Sequence, residues 1–316
     1  MPTPKTVFMF SGQGSQYFQM GKSLYDRQRT FRDWMDRMDA IVLEQAGCSV
    51  VSALYDAKRS RGDLFDRTLL THPAIFMVEY AIAATLIENG IRPDLTLGAS
   101  LGSFAAATVS GCLTMEDALT AVIGQAHILE KHCSPGAMTA ILGDPSLLEA
   151  PPLQGNCDLA ASNFANHFVV SAQPQPLAEI ESFLRSAEIT FQRLPVAFAF
   201  HSRWIEAASA PSRDHLGRLN LARARIPLAC CASEDVLQSL PADYFWRVAR
   251  NPIQFQKTIA TLEQHGGYRY IDAGPAGTLA TFLKYLLPPT SLSSVHSTLT
   301  PFGRDAENIA AIAATH

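Results

Sequence analysis

Gly98-Ala99-Ser100-Leu101-Gly102 is the segment of this chain best suited to covalent chemistry. An apolar run, Leu95-Thr96-Leu97, precedes it, and a helix-forming run, Ser103-Phe-Ala-Ala-Ala107, follows it. Glycines two before and two after a serine let a strand turn sharply into a helix, leaving the Ser100 hydroxyl exposed near the positive helix end. A serine so placed forms acyl esters. Until a base is identified, a serine in a tight surface turn is the plain alternative. The chain holds nine histidines. His201 stands apart because it ends the apolar segment Val196-Ala-Phe-Ala-Phe200, where a strand is expected to open into a loop. The other eight fall on expected helices, loops or tails. An imidazole serving as base needs a third group to fix its tautomer, and Asp272, before Gly274-Pro275, is one candidate. An aspartate before a turn also serves as an ordinary cap.

The elements that would carry these residues alternate between strand and helix. Residues 6–10 read as an apolar strand that ends in Ser11-Gly-Gln-Gly-Ser-Gln16, a glycine-rich loop. Helical spacing is expected over 17–54, 73–89 and 116–133. Strands at 137–142, 156–162, 167–171 and 189–194, with a helix at 176–187, form a compact split-βαβ unit of ferredoxin-like type. Beyond His201 the pattern is helix (203–219), strand (226–232), helix (252–265), strand (268–273) and helix (277–286), with a last helical turn near 309–313. The expected fold class is therefore α/β. Its large domain is formed by 1–131 and 198–316, and 132–197 is the inserted small unit.

Composition excludes several functions. The 316 residues are 47% hydrophobic and 17% charged, enough to bury a large core, and the net charge is −4. No basic block is longer than Lys58-Arg59-Ser60-Arg61, so neither nucleic acid nor anionic lipid is an expected partner. The six cysteines lack metal or disulfide spacing, which points to reduced thiols, a cytoplasmic location and no metal. No signal core and no 18-residue apolar stretch are evident, so no membrane span is expected.

Five motifs in order carry a resemblance: Ser11-Gly-Gln-Gly-Ser-Gln16, the Gly98–Gly102 elbow, Phe198-Ala-Phe-His-Ser202, Asn251-Pro252 and Asp272-Ala-Gly-Pro275. Over about residues 5–290 the chain resembles the acyltransferases of fatty-acid and polyketide synthesis, which include malonyl-coenzyme A:acyl carrier protein transacylases. The resemblance implies an α/β-hydrolase-like large domain with a ferredoxin-like insert and a cleft between them. It implies a Ser100–His201 dyad, with His201 held by the main-chain carbonyl of Asn251 in place of Asp272. Backbone N–H groups of Gln13 and Leu101 would form the oxyanion hole. Phe200, Asn163, Ala99, His72 and Gln125 would border the substrate. No cofactor is implied, because the substrate carries its own phosphopantetheine arm. The expected partner is an acyl carrier protein of a polyketide synthase, and the expected state is a monomer.

The sequence also departs from that family. Malonyl-specific members carry an arginine where apolar spacing places Gln125, and no arginine occurs between Arg92 and Arg185. A neutral amide cannot replace the bidentate partner of a malonyl carboxylate, although another cation elsewhere could. The residue before the nucleophile, usually histidine, is Ala99, and the usual Thr-Gln-Pro is Thr71-His72-Pro73. Together these changes resemble the discrete acyl hydrolases that remove stalled, uncharged acyl groups, acetyl and longer, from carrier proteins. The alternative is a trans-acting malonyl transacylase. Arg203, Arg247, Arg250 and Lys284 are candidate cations for the arm's phosphate.

Overall fold

The structure is a computed structural model that describes residues 4–314. Its larger sheet has the order β10-β9-β1-β2-β7-β8. In chain order these are β1 (Lys5–Phe10), β2 (Leu95–Gly98), β7 (Leu228–Cys230), β8 (Val236–Leu237), β9 (Tyr268–Asp272) and β10 (Ser294–Ser297). All neighbours pair in parallel except β7 and β8. The smaller sheet consists of β3 (Ala137–Leu142), β4 (Asp158–Phe164), β5 (His167–Ala172) and β6 (Thr190–Arg193). It is antiparallel throughout, in the order β4-β5-β3-β6, which is the ferredoxin-like strand order.

β1 is central because its side chains are apolar on both faces. Phe8 and Phe10 pack into one core with helices Arg29–Ala46, Thr68–Glu88, Gly102–Val109 and Met115–His132. Val7 and Met9 point the opposite way, into a second core with helices Phe255–Glu263 and Thr278–Leu286. Alternation along one strand thus divides the two helical layers. The small sheet is also bonded directly to the loop between helices Tyr244–Arg250 and Phe255–Glu263: the Ser162 N–H donates to the Ile253 carbonyl (2.8 Å), and the Ile253 N–H donates to that of Ala160 (2.8 Å).

Several expectations are corrected. The stretch 17–54 is three helices, Lys22–Arg27, Arg29–Ala46 and Val50–Leu54. Gln28 is extended between the first two, and Gly47 adopts a left-handed backbone after the second. Residues 203–219 begin as a 3₁₀ turn, Arg203–Ala208, before the helix Ser209–Leu216. Val196–Phe200 forms no strand. A helix at Tyr244–Arg250 and the edge strand β10 were not expected, and the last helix is longer, Asp305–Ala314. Helix Thr68–Glu88 does reach the length and mean hydropathy (1.5) of a membrane span. Within that span 78% is buried inside the fold, as befits a core helix.

Candidate active site

The site lies at the carboxyl ends of β1 and β2, where an open α/β sheet places its loops. β2 ends at Gly98, Ser100 turns through a left-handed backbone (φ 54°), and helix Gly102–Val109 begins at once. Close approach explains both glycines of the elbow. A Cβ on Gly98 would lie 2.4 Å from Ser103 Cα, and one on Gly102 would lie 2.2 Å from the Phe10 carbonyl oxygen. Because the crowding atoms are backbone, no rotamer change relieves it.

Ser100 Oγ lies 2.7 Å from His201 Nε2, and His201 Nδ1 lies 2.8 Å from the Asn251 carbonyl oxygen. A carbonyl only accepts, so Nδ1 carries the proton and Nε2 presents its lone pair to the serine. Burial pushes the His201 pKa down to about 4, aided by nearby Arg250 and opposed by the Asn251 carbonyl. The imidazole is therefore neutral at pH 7. His201 is itself held in a left-handed conformation (φ 58°), with its N–H donated to the Ala249 carbonyl. The irregular segment before it is pinned by a Gln16 Nε2 donor on the Pro195 carbonyl and a Ser171 Oγ donor on that of Phe200. These contacts supply what a strand partner would have supplied.

Asp272 does not reach His201. Its Oδ1 accepts from the Gly274 N–H (2.8 Å) and its Oδ2 from the Ala280 N–H (2.9 Å), so it is the turn and helix cap. The Gln13 and Leu101 N–H groups have no acceptor among the described residues and border Ser100, as an oxyanion hole requires. The Gln13 side chain is tied off separately, its Nε2 donating to Thr71 Oγ1 (2.9 Å).

Two spaces meet at Ser100. The outer one is a cleft of about 260 Å³ between the two sheets, bordered by Gln13, Ala99, Asn163, His167, Phe200 and Phe282 among others. Asn163 Nδ2 is 3.0 Å from His167 Nδ1. The inner one is a recess of about 10 Å³, lined by Gln13, His72, Gln125, Phe200, Phe245 and Val248 beside Ser100. Gln125 is buried there and is not a surface glutamine, and its Nε2 has no hydrogen-bond partner. His72 is equally buried, its Nδ1 is unpartnered, and burial lowers its pKa to about 3. No group around this void is charged at pH 7.

The structure thus gathers every residue expected at the site: Ser100, His201, Gln13, Leu101, Asn251, Gln125, His72, Ala99, Phe200 and Asn163. Sequence reasoning missed Phe245 and Val248, which come from the unforeseen helix Tyr244–Arg250, and His167, which was grouped with the uninvolved histidines. His316 lies outside the described residues. Among the four candidate cations, Arg203 is paired with Asp158 and Arg250 with Glu206.

Residues 7–289 match the acyl transferase domain family. The chain belongs to the acyl transferase family. It is similar to the "polyketide biosynthesis acyltransferase homolog BaeD" of Bacillus velezensis, at 42% identity over 304 residues, covering 96% of this chain and 94% of that protein. PksD of Bacillus subtilis, described in the same words, is 40% identical over the same shares. Among solved structures, this acyltransferase chain is similar to a loading acyltransferase of the avermectin modular polyketide synthase. That likeness has a TM-score of 0.88 at 27% identity, covering 98% of this chain and 99% of the other. The acyltransferase domain from the second module of the salinomycin polyketide synthase gives 0.84 at 28%, covering 98% and 72%. This acyltransferase is an acyl-transfer enzyme built as an α/β-hydrolase-like domain with a ferredoxin-like insert.

Proposed function

We propose that the chain is an editing acyl-thioester hydrolase, which removes short uncharged acyl groups from acyl carrier proteins of a polyketide synthase. The observation that carries this reading is the inner void: it is uncharged, one water in size, and bordered by Gln125 where a carboxylate clamp would be needed. The names of the 42% and 40% identical relatives support a role in polyketide biosynthesis.

Ser100 Oγ attacks the thioester carbonyl carbon while its proton passes to His201 Nε2. The N–H groups of Gln13 and Leu101 hold the oxyanion, each worth about 3–4 kcal/mol in comparable enzymes. His201 then protonates the departing pantetheine thiol, which leaves acyl-Ser100. Water attacks the ester with His201 again accepting the proton, and Ser100 recovers it as the free acid leaves. Transfer would differ only in the second nucleophile. A malonyl transacylase is the second reading, favoured by the outer cleft, whose size would admit an incoming carrier arm.

The test is to incubate the protein with acetyl-, butyryl- and malonyl-carrier protein and follow intact masses. Loss of acetyl or butyryl as free acid is the expected result. Fast malonyl loading followed by transfer to a second carrier protein would replace this reading with the transacylase.

A further inference from the structure

The Ser11–Gln16 loop must present the Gln13 N–H while its own chain leaves the sheet. Its neighbour on one side is the nucleophile: a Cβ on Gly12 would lie 2.7 Å from Ser100 Cβ. On the other side is Glu79, wholly buried in helix Thr68–Glu88, an acidic residue in an otherwise apolar stretch. Glu79 Oε1 accepts from the Ser11 N–H (2.7 Å) and from Ser11 Oγ (3.1 Å), while Oε2 has no partner. Ser11 Oγ also lies 3.1 Å from Ser15 Oγ, whose hydroxyl donates to the Gly12 carbonyl (2.7 Å). The carboxyl thus anchors Ser11 at the start of the oxyanion loop, and Ser15 closes the loop on Gly12. His72, seven residues earlier, lies two turns away on the same helix and reaches the same site.

From this arrangement we infer that Glu79 is a positioning residue: its buried carboxyl holds Ser11, and through Ser11 it sets the Gln13 N–H against the developing oxyanion. Ser11 is the point at which β1 ends, so its N–H has no strand to pair with. Glu79 supplies that acceptor. No cation approaches Glu79, the other acid facing it is Asp272, and burial with that neighbour raises its carboxyl well above the usual range. A carboxylate there would place a negative charge behind the loop that must receive another.

The inference rests on acylation of Ser100, the step common to the hydrolase and transferase readings, so it is tested on that step alone. Single-turnover acylation by acetyl-N-acetylcysteamine is measured for the wild type, Glu79→Gln, Glu79→Ala and Ser11→Ala, each checked for folding by thermal unfolding. A wild type that never acylates Ser100 refutes the proposed chemistry as a whole. Given wild-type acylation, Glu79→Gln, which keeps the shape and an acceptor oxygen for Ser11, should stay within about threefold. Glu79→Ala should lower the maximal rate at least about tenfold with KM within about twofold, as loss of a transition-state interaction requires. Ser11→Ala keeps the N–H bond and should fall between them, and it carries the test alone if Glu79→Ala does not fold. Glu79→Gln as slow as Glu79→Ala, a KM that rises in step with the rate loss, or Ser11→Ala equal to the wild type would each overturn the inference.

Discussion

Gln125→Arg tests the pocket most sharply, because both terms of the expected selectivity are set by its geometry. The inner void of about 10 Å³ is close to the smallest space that holds one water, so it leaves room beside Ser100 for a methyl-sized uncharged group. A malonyl group adds a carboxylate of three heavy atoms, and the wall it would meet is the Gln125 amide, neutral His72 and the rings of Phe200 and Phe245. Burying that carboxylate without its cation costs about 2–5 kcal/mol, or roughly thirty- to several-thousand-fold in rate. Wild-type acylation by acetyl thioester should therefore exceed that by malonyl thioester by at least about thirtyfold. Gln125→Arg should reverse the order, since an unpaired guanidinium beside an acetyl group is itself penalised. Gln125→Leu, neutral and of similar size, should keep the acetyl preference, which separates charge from shape. The assay is acyl-Ser100 formation by mass spectrometry with both thioesters for all three proteins. A wild type that loads malonyl faster, or a Leu variant that loads both equally, would refute the reasoning.

Four further outcomes are expected. Ser100→Ala should abolish acyl-enzyme formation while leaving the thermal midpoint within a few degrees, and an acyl adduct on any other residue would contradict it. His201→Ala should cost about 10²–10⁴ in acylation rate, and a variant retaining a tenth of the activity would mean that another base acts. The acid limb of kcat/KM should fall near pH 4 and not near 6.5, because the base works only unprotonated and burial keeps His201 unprotonated down to that pH; a limb at the ordinary histidine value would show His201 to be well solvated. Phe200→Ala should open the inner void and raise butyryl relative to acetyl acylation by about tenfold, the scale of a methylene or two, and an unchanged ratio would place the acyl chain elsewhere.

What the sequence revealed and what it concealed divide along physical lines. The elbow was legible because its requirement is local: two backbones approach within a Cβ radius at Gly98 and Gly102, and only glycine satisfies that. Strand β1 was legible because the unbroken apolar run Val7–Phe10 fits a strand covered on both faces. Val196–Phe200 was misread because burial alone gives a strand-like composition, whereas the ladder it needs is replaced by Gln16 and Ser171 side chains far along the chain. The helices after Tyr17 merged because their apolar spacing runs on through Gln28, whose extended backbone leaves no compositional mark. Asn251 acts through its carbonyl, which every residue has, so only the family resemblance pointed to it. Glu79 escaped notice because a lone glutamate in a helix ordinarily marks the solvent face.

The bonds between the small sheet and the loop at Ile253 have a mechanical consequence. Ile253 is clasped by the small sheet on both its amide and its carbonyl, and it stands two residues from the Asn251 carbonyl that fixes the His201 tautomer. Ser171 of the same sheet holds the Phe200 carbonyl beside His201, so both ends of the His201–Asn251 bond are tied to the small sheet, and tilting it outward would carry the imidazole and its anchor together. Hydrogen exchange can detect this linkage: the His201 Nδ1 proton should stay protected for as long as the Ile253 and Ser162 amides do, and its loss while they remain protected would disprove it. Base and anchor thus ride on one body, so a change in the width of the cleft leaves the nucleophile armed.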